Sequence, residues 1–126
     1  RGLGDVYKRQ GWEGTDGAFV IDLGKEKEIH SIDTDFLHQI GAWILFPLKV
    51  VYSYSEDGEN YTHWGAHDMP ENRSGKVEFR GVKTESEMPV HARYVKVEVT
   101  GTKECPEWHY GVGHPSWFFI DEVTIK

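Results

Sequence analysis

Residues 91–100 read His91-Ala-Arg-Tyr-Val-Lys-Val-Glu-Val-Thr100. Val95, Val97 and Val99 fall on one face of an extended chain, and Lys96 and Glu98 on the other. A period of two with β-branched residues on one side is the pattern of a strand that buries one face. Working outward, the same kind of short segment recurs. Residues 18–23 (AFVIDL) form an apolar run closed by Gly24. Residues 25–28 are polar and turn-like, and Ile29, Ile32, Phe36 and Leu37 lie in a second strand-like segment. Residues 48–55 alternate, with Tyr52 and Tyr54 on one face and Val51 on the other. Glu56-Asp57-Gly58-Glu59 is a hairpin signal, because Asp-Gly supplies the positive φ of a tight turn. Residues 61–66, 76–82 and 118–125 complete the set. No window of twelve or more residues holds a helical period. Seven short strands with turn signals between them predict an all-β chain folded as an antiparallel β-sandwich.

The chain has 126 residues, enough for one domain and not two. It carries 14 Lys and Arg against 21 Asp and Glu, a net charge of −7. That balance argues against a nucleic-acid binder, whose affinity comes from cations that neutralise phosphates. No apolar run approaches the roughly 20 residues that span a bilayer. A single cysteine, Cys105, excludes an intrachain disulfide and a cysteine-based zinc site. It reads as a small buried hydrophobe or a free thiol.

The first ten residues, RGLGDVYKRQ, stand apart. They lack a hydrophobic period and match, in all ten positions, the translation of a common tagmentation primer. They resemble a translated sequencing adapter and are set aside as non-native. The domain is then expected over residues 11–126, N-terminally truncated and lacking its first strand or strands. Removing Arg1, Lys8, Arg9 and Asp5 takes the net charge from −7 to −9. A sandwich short of a strand is expected to expose a sheet edge.

Two loops are long and aromatic: residues 39–47 (QIGAWILFP) and 102–117 (TKECPEWHYGVGHPSW). Trp43, Trp108, Tyr110 and Trp117 lie in or beside them, with Trp12 upstream. An aromatic face matches the C–H face of a pyranose, and neighbouring polar groups can bond its hydroxyls. His38, His109, His114, Glu107 and Lys103 are the available polar partners. The same rings could instead cap the ends of the core, a reading that weighs more for Trp43 and Trp117 beside Ile44 and Phe118. Trp108, between Glu107 and His109, is the expected exposed platform. Candidate carbohydrate-binding residues are therefore Trp108, His109, Trp43, His38 and Tyr110.

Catalytic signals are weak. Asp121 and Glu122 are adjacent and point to opposite faces of a strand. Asp33 and Asp35 share a face but sit on an ordinary strand, where a solvated face is the simpler reading. No pair of carboxyl groups is placed to flank a glycosidic bond. His109 and His114 lack a third ligand at a zinc spacing. Calcium takes several oxygen ligands, and Glu122 could supply one.

Taken in order, several strings resemble one family. AFVIDLG followed by IHSI is similar to the opening of discoidin domains, also called coagulation factor 5/8 type C domains. VVYSYSEDGENYTHWG resembles their Ser-x-Asp-Gly hairpin, HARYVKVEV their penultimate strand, and WFFIDEVTIK their closing strand. More narrowly, GWEG, FLHQIGAWILFP and KECPEWHYGVGHPSWFFIDEV resemble the discoidin-type domain at the C-terminus of bacterial family-20 β-N-acetylhexosaminidases, typical of Bacteroidetes. The resemblance implies a jelly-roll-like β-sandwich. It also implies a non-catalytic, family-32-like carbohydrate-binding module joined to a catalytic domain of the same chain. The implied ligand is a glycan containing N-acetylhexosamine or galactose. The parent protein is expected to be extracellular or periplasmic. By the same resemblance Glu122 matches an acidic ligand of a structural calcium, whose other ligands come from an N-terminal loop absent here. The alternative is a structural accessory domain that packs on the catalytic domain and binds no sugar.

Overall fold

A computed structural model describes residues 5–7, 10–69, 77–102, 104–105, 109 and 111–126. Among these, seven strands follow in order: β1 (Asp5–Tyr7), β2 (Gln10–Glu13), β3 (Gly17–His38), β4 (Lys49–Ser55), β5 (Thr62–Asp68), β6 (Glu78–Thr100) and β7 (Trp117–Ile125). Among the described residues, a single 3-10 turn, Ile40–Ala42, is the helical element. No helix among the described residues is long and apolar enough to cross a membrane. All strand pairings are antiparallel, in the order β1-β7-β3-β6-β4-β5, with β2 also on β7.

The two long strands turn this sheet into an open sandwich. Gly17–Asp22 pairs with Tyr94–Val99, and Ser31–His38 pairs with Glu78–Glu85. Between these halves the register shifts twice, at Asp22/Lys27 and Ile29/Ser31. Such irregularities bend a strand and increase its twist. β4 and β5 extend the first half, and β7 with β1 and β2 extends the second. The polar stretch 25–28, read from sequence as a turn, is thus the corner where β3 passes from one layer to the other.

Alternation decides the core. Val95, Val97 and Val99 are buried and meet Val50 and Tyr52 from β4. Ile32 and Phe36 from β3, Val82 from β6, and Phe118, Ile120, Val123 and Ile125 from β7 close the opposite layer. One flank of the sandwich is stitched by side chains: Trp64 Nε1 donates to Ser86 Oγ at 2.5 Å, and His67 Nε2 lies 2.7 Å from Thr84 Oγ1.

Candidate functional site

Three connections leave the same end of the sandwich: β3 to β4, β5 to β6, and β6 to β7. Backbone bonds tie that end together. Leu48 donates to the Thr100 carbonyl, Met69 to Leu48, Leu45 to Trp117, and Gly14 to Ser116, all at 2.8 to 2.9 Å. The Thr102 and Ser116 hydroxyls bond each other at 2.6 Å.

The first loop is a tight structure built on Gln39. Its N–H donates to the Ile44 carbonyl at 2.8 Å, and its carbonyl accepts from Ala42 and Ile44 at 3.0 and 3.1 Å. This closure leaves Trp43 at φ 61°, the left-handed region that few non-glycine residues adopt. The Trp117 N–H holds the Trp43 carbonyl at 2.8 Å. Such strained backbone persists where its surroundings over-determine it, often at ligand sites.

The second loop supplies the surroundings. Cys105 donates to the His114 carbonyl at 2.9 Å, Val112 to His109 at 3.1 Å, and His114 to Gly111 at 3.0 Å. The Gly111 N–H donates to His109 Nδ1 at 2.9 Å, so that nitrogen carries no proton. His109 lies edge-on to the Trp43 indole, with centroids 6.2 Å apart at 89°. His114 lies over it at 5.5 Å and 35°. Gly111 sits against the indole itself: a Cβ there would fall 2.9 Å from Trp43 Cε2 and 3.2 Å from His109 Nδ1. Only glycine allows that approach without displacing the ring.

Trp43 is half-buried, His114 is exposed, and Val112 is 52% exposed beside them. The two loops therefore present a partly open indole with an imidazole at its face. Trp43 and His109, two of the candidate residues, are brought together. His109, however, is only 3% exposed and supports the ring from behind. Gly111 went unnoticed in the sequence, where its Gly-Val-Gly setting reads as loop punctuation.

His38 is a correction. It is 1% exposed and packs on Phe46 at 4.9 Å, with the Arg80 guanidinium 4.6 Å above that ring. Its position two residues after Phe36 puts it on the inward face of β3, so it is a core residue and not a surface hydrogen-bonding partner. Trp108 and Tyr110, with Lys103 and Glu107, lie outside the described residues. Glu122 sits on β7 opposite Asp35 of β3. Among the described residues, no group of three or more His, Cys, Asp or Glu side chains could hold a metal ion. The side chain of Glu122, the calcium ligand expected from the resemblance, lies outside the described residues.

Residues 5–118 match the F5/8 type C domain. No curated protein sequence is similar to the chain. Among solved structures it is similar to CpGH89CBM32-6 of Clostridium perfringens, with TM-score 0.59 and 18% identity over 92% of this chain and 75% of that one. It is similar to CpGH89CBM32-5 of the same organism, solved in complex with GalNAc-β-1,3-galactose, with TM-score 0.52 and 20% identity over 86% of this chain and 63% of that one. It is similar also to the C-terminal domain of a chitobiase from Bacteroides fragilis, with TM-score 0.50 and 19% identity over 88% of this chain and 62% of that one. These identities establish a shared fold. The family match over most of the length, carried by strands in the expected order, shows that the chain belongs to the F5/8 type C (discoidin) domain family.

Proposed function

We propose that this domain is a non-catalytic carbohydrate-binding module that holds an attached glycoside hydrolase near a glycan. The observation that carries the reading is the Trp43 indole, held at a positive φ by two loops and left partly open beside His114. The part of the ring that the tilted His114 imidazole leaves open suits the C–H face of a sugar, and the imidazole suits its hydroxyls. Trp108, in the same loop as His109 and Gly111, is the proposed second platform, with Tyr110 beside it. The proposed ligand contains N-acetylhexosamine or galactose. The proposed parent is a β-N-acetylhexosaminidase, outside the cytoplasm, with a structural calcium at Glu122. A stacking site of two or three rings supports millimolar binding, about −4 kcal/mol.

The test is titration of the chain with N-acetylgalactosamine, N-acetylglucosamine and galactose, followed by tryptophan fluorescence. Trp108→Ala should abolish binding and leave cooperative unfolding intact. Retained binding in both Trp108→Ala and Trp43→Ala would overturn the stacking role.

One observation favours a second reading. Val77 and Phe79 are 58% and 53% exposed, and Phe79 pairs with Leu37 on the outer face of the β3–β6 half. An apolar patch of this kind suits packing against a neighbouring domain. In that reading the module is a structural accessory to the catalytic domain. It predicts no glycan binding, and a catalytic domain that loses stability when the module is removed.

A further inference from the structure

The outer face of the layer that holds β7 carries a second aromatic surface. Register fixes its row: Phe79 of β6 stands opposite Leu37 of β3, Leu37 opposite Phe119 of β7, and Phe119 opposite Gly11 of β2. Residues directly opposite each other share a face of the sheet. Phe36, Phe118 and Ile120, chain neighbours of this row, belong to the core, so the row itself faces outward. Trp117, two residues before Phe119, lies on the same face with its ring centroid 5.6 Å from that of Phe119. Phe79 is 53% exposed, Phe119 and Trp117 are partly exposed, and Leu37 is buried between Phe79 and Phe119.

Gly11 lays one of these rings flat. A Cβ there would fall 2.7, 2.9 and 3.0 Å from Phe119 Cε1, Cζ and Cδ1. Three consecutive ring carbons at nearly one distance mean that a ring face, not an edge, covers the glycine backbone. The opposite face of Phe119 therefore looks away from the sheet. The row also has a spacing. One strand separates Phe79 from Phe119, which sets them two strand spacings apart, roughly 10 Å. An extended β-1,4-linked glycan is a flat ribbon in which every second pyranose presents the same face at about that interval. Gln39, exposed beyond Leu37 on β3, adds an amide that both donates and accepts. The net charge of −7 opposes a second copy of the chain or a polyanion on this face, and an uncharged glycan meets no such repulsion.

We propose that this sheet face is a second glycan surface, for the flat side of an uncharged β-1,4-linked polysaccharide. One pyranose lies on Phe79, the next crosses Leu37, and the third lies on Phe119, each through its C–H face. An α-1,4-linked chain coils and cannot set two rings on this row at once. The surface is independent of the reading given for Trp43, where a single sugar is held between two loops. Here the sheet supplies a plane, and the ligand is a polymer rather than one residue.

The test is depletion of the full chain from solution by microcrystalline cellulose, chitin and insoluble amylose, with sedimentation of the chain alone. Cellulose or chitin should bind it saturably, and amylose about tenfold more weakly. Phe79→Ala, at an exposed position, should weaken polymer binding by about tenfold with the melting temperature unchanged. Phe79→Trp should restore it, and Trp43→Ala should leave it as it was. Binding to neither cellulose nor chitin overturns the proposal and leaves the face to a neighbouring domain. Equal binding of amylose, or loss in Trp43→Ala with Phe79→Ala unaffected, also overturns it. So does a dimer that Phe79→Ala dissociates, since the face then belongs to a second copy. Titration with monosaccharides, compared between the unchanged chain and Trp43→Ala, reports the loop site separately, so failure of one site is distinct from failure of the other.

Discussion

The Tyr52 hydroxyl donates a 2.7 Å hydrogen bond to Thr34 Oγ1 across the middle of the sandwich. Both residues are completely buried. Tyr52 belongs to the β4 layer and Thr34 to the β7 layer, so one bond joins the two sheets inside the core. The Val82 carbonyl lies 3.3 Å from the same hydroxyl. Tyr52→Phe keeps the ring but leaves the Thr34 hydroxyl without this donor, at a cost of about 1–3 kcal/mol. Urea unfolding should show a lower midpoint with an unchanged slope.

The same phenol makes a pH prediction. Burial pushes its ionisation above the ordinary value of 10.0, and the Thr34 bond only partly opposes that, while Asp33 and Asp35 add to it. In the unfolded chain the phenol ionises at its ordinary pH. Stability is therefore complete below about pH 10 and falls as pH rises further, because the unfolded state loses its proton first. In Tyr52→Phe this alkaline slope should shrink, which denaturant titrations between pH 9 and 11, a range of about two units, will show.

At the hairpin, backbone N–H groups set the charge. The Asn60 N–H, then the Asn60 side chain, the Glu59 N–H and the Ser55 hydroxyl hold the Asp57 carboxyl well below its ordinary range. A depressed carboxyl contributes stability that is present above its unfolded value and is lost as pH falls toward the folded one. Asp57 should remain charged in a carbon-detected carboxyl titration after the other carboxyl groups have protonated. Asp57→Asn should flatten the acid limb of the stability profile. Gly58, at φ 80° and with Tyr94 3.2 Å from the position of a Cβ, explains why this turn needs glycine after Asp57.

How far the sequence foretold this structure depends on the residue. In 91–100 the valine face is the buried face, as alternation required. The Ser-Glu-Asp-Gly turn joins β4 to β5 as its residue types dictate. Residues 25–28 misled, because polar residues at a corner exposed to solvent look the same whether the chain stops or bends between layers. His38 follows the inward alternation of β3, yet its polar ring argued for the surface. The Trp43 cluster was legible only as two aromatic loops. Their convergence depends on backbone bonds between residues 70 or more positions apart, such as Trp117 to Trp43, and on a φ that no residue type announces.

Gly111 gives the cluster its most direct test. A methyl group there cannot lie 2.9 Å from Trp43 Cε2, so the indole or the 109–114 turn must move. Gly111→Ala should cost about 1–3 kcal/mol, the usual effect of overpacking. The Trp43 fluorescence should shift, and any glycan affinity should fall more than stability loss alone explains. Ala42→Gly, at an exposed neighbouring position, serves as the control that leaves the ring in place.

The N-terminal segment makes the final prediction. Asp5–Tyr7 pairs with Val123–Ile125, the side of β7 away from β3. Fixing each backbone residue costs about 1–2 kcal/mol, and each cross-strand pair returns about 0.2–1 kcal/mol beyond the backbone bonds. With Gln10 opposite Ile120, residues 1–10 make four such pairs, which at an edge therefore contribute close to nothing. Gly11, whose backbone lies against the Phe119 ring, remains after residues 1–10 are deleted. The deletion should leave the melting temperature unchanged and the transition cooperative, as scanning calorimetry will read. It also uncovers the β7 edge, so sedimentation at rising concentration should reveal more self-association than in the full chain. A fall of several degrees would instead make residues 1–10 an integral strand of the sandwich.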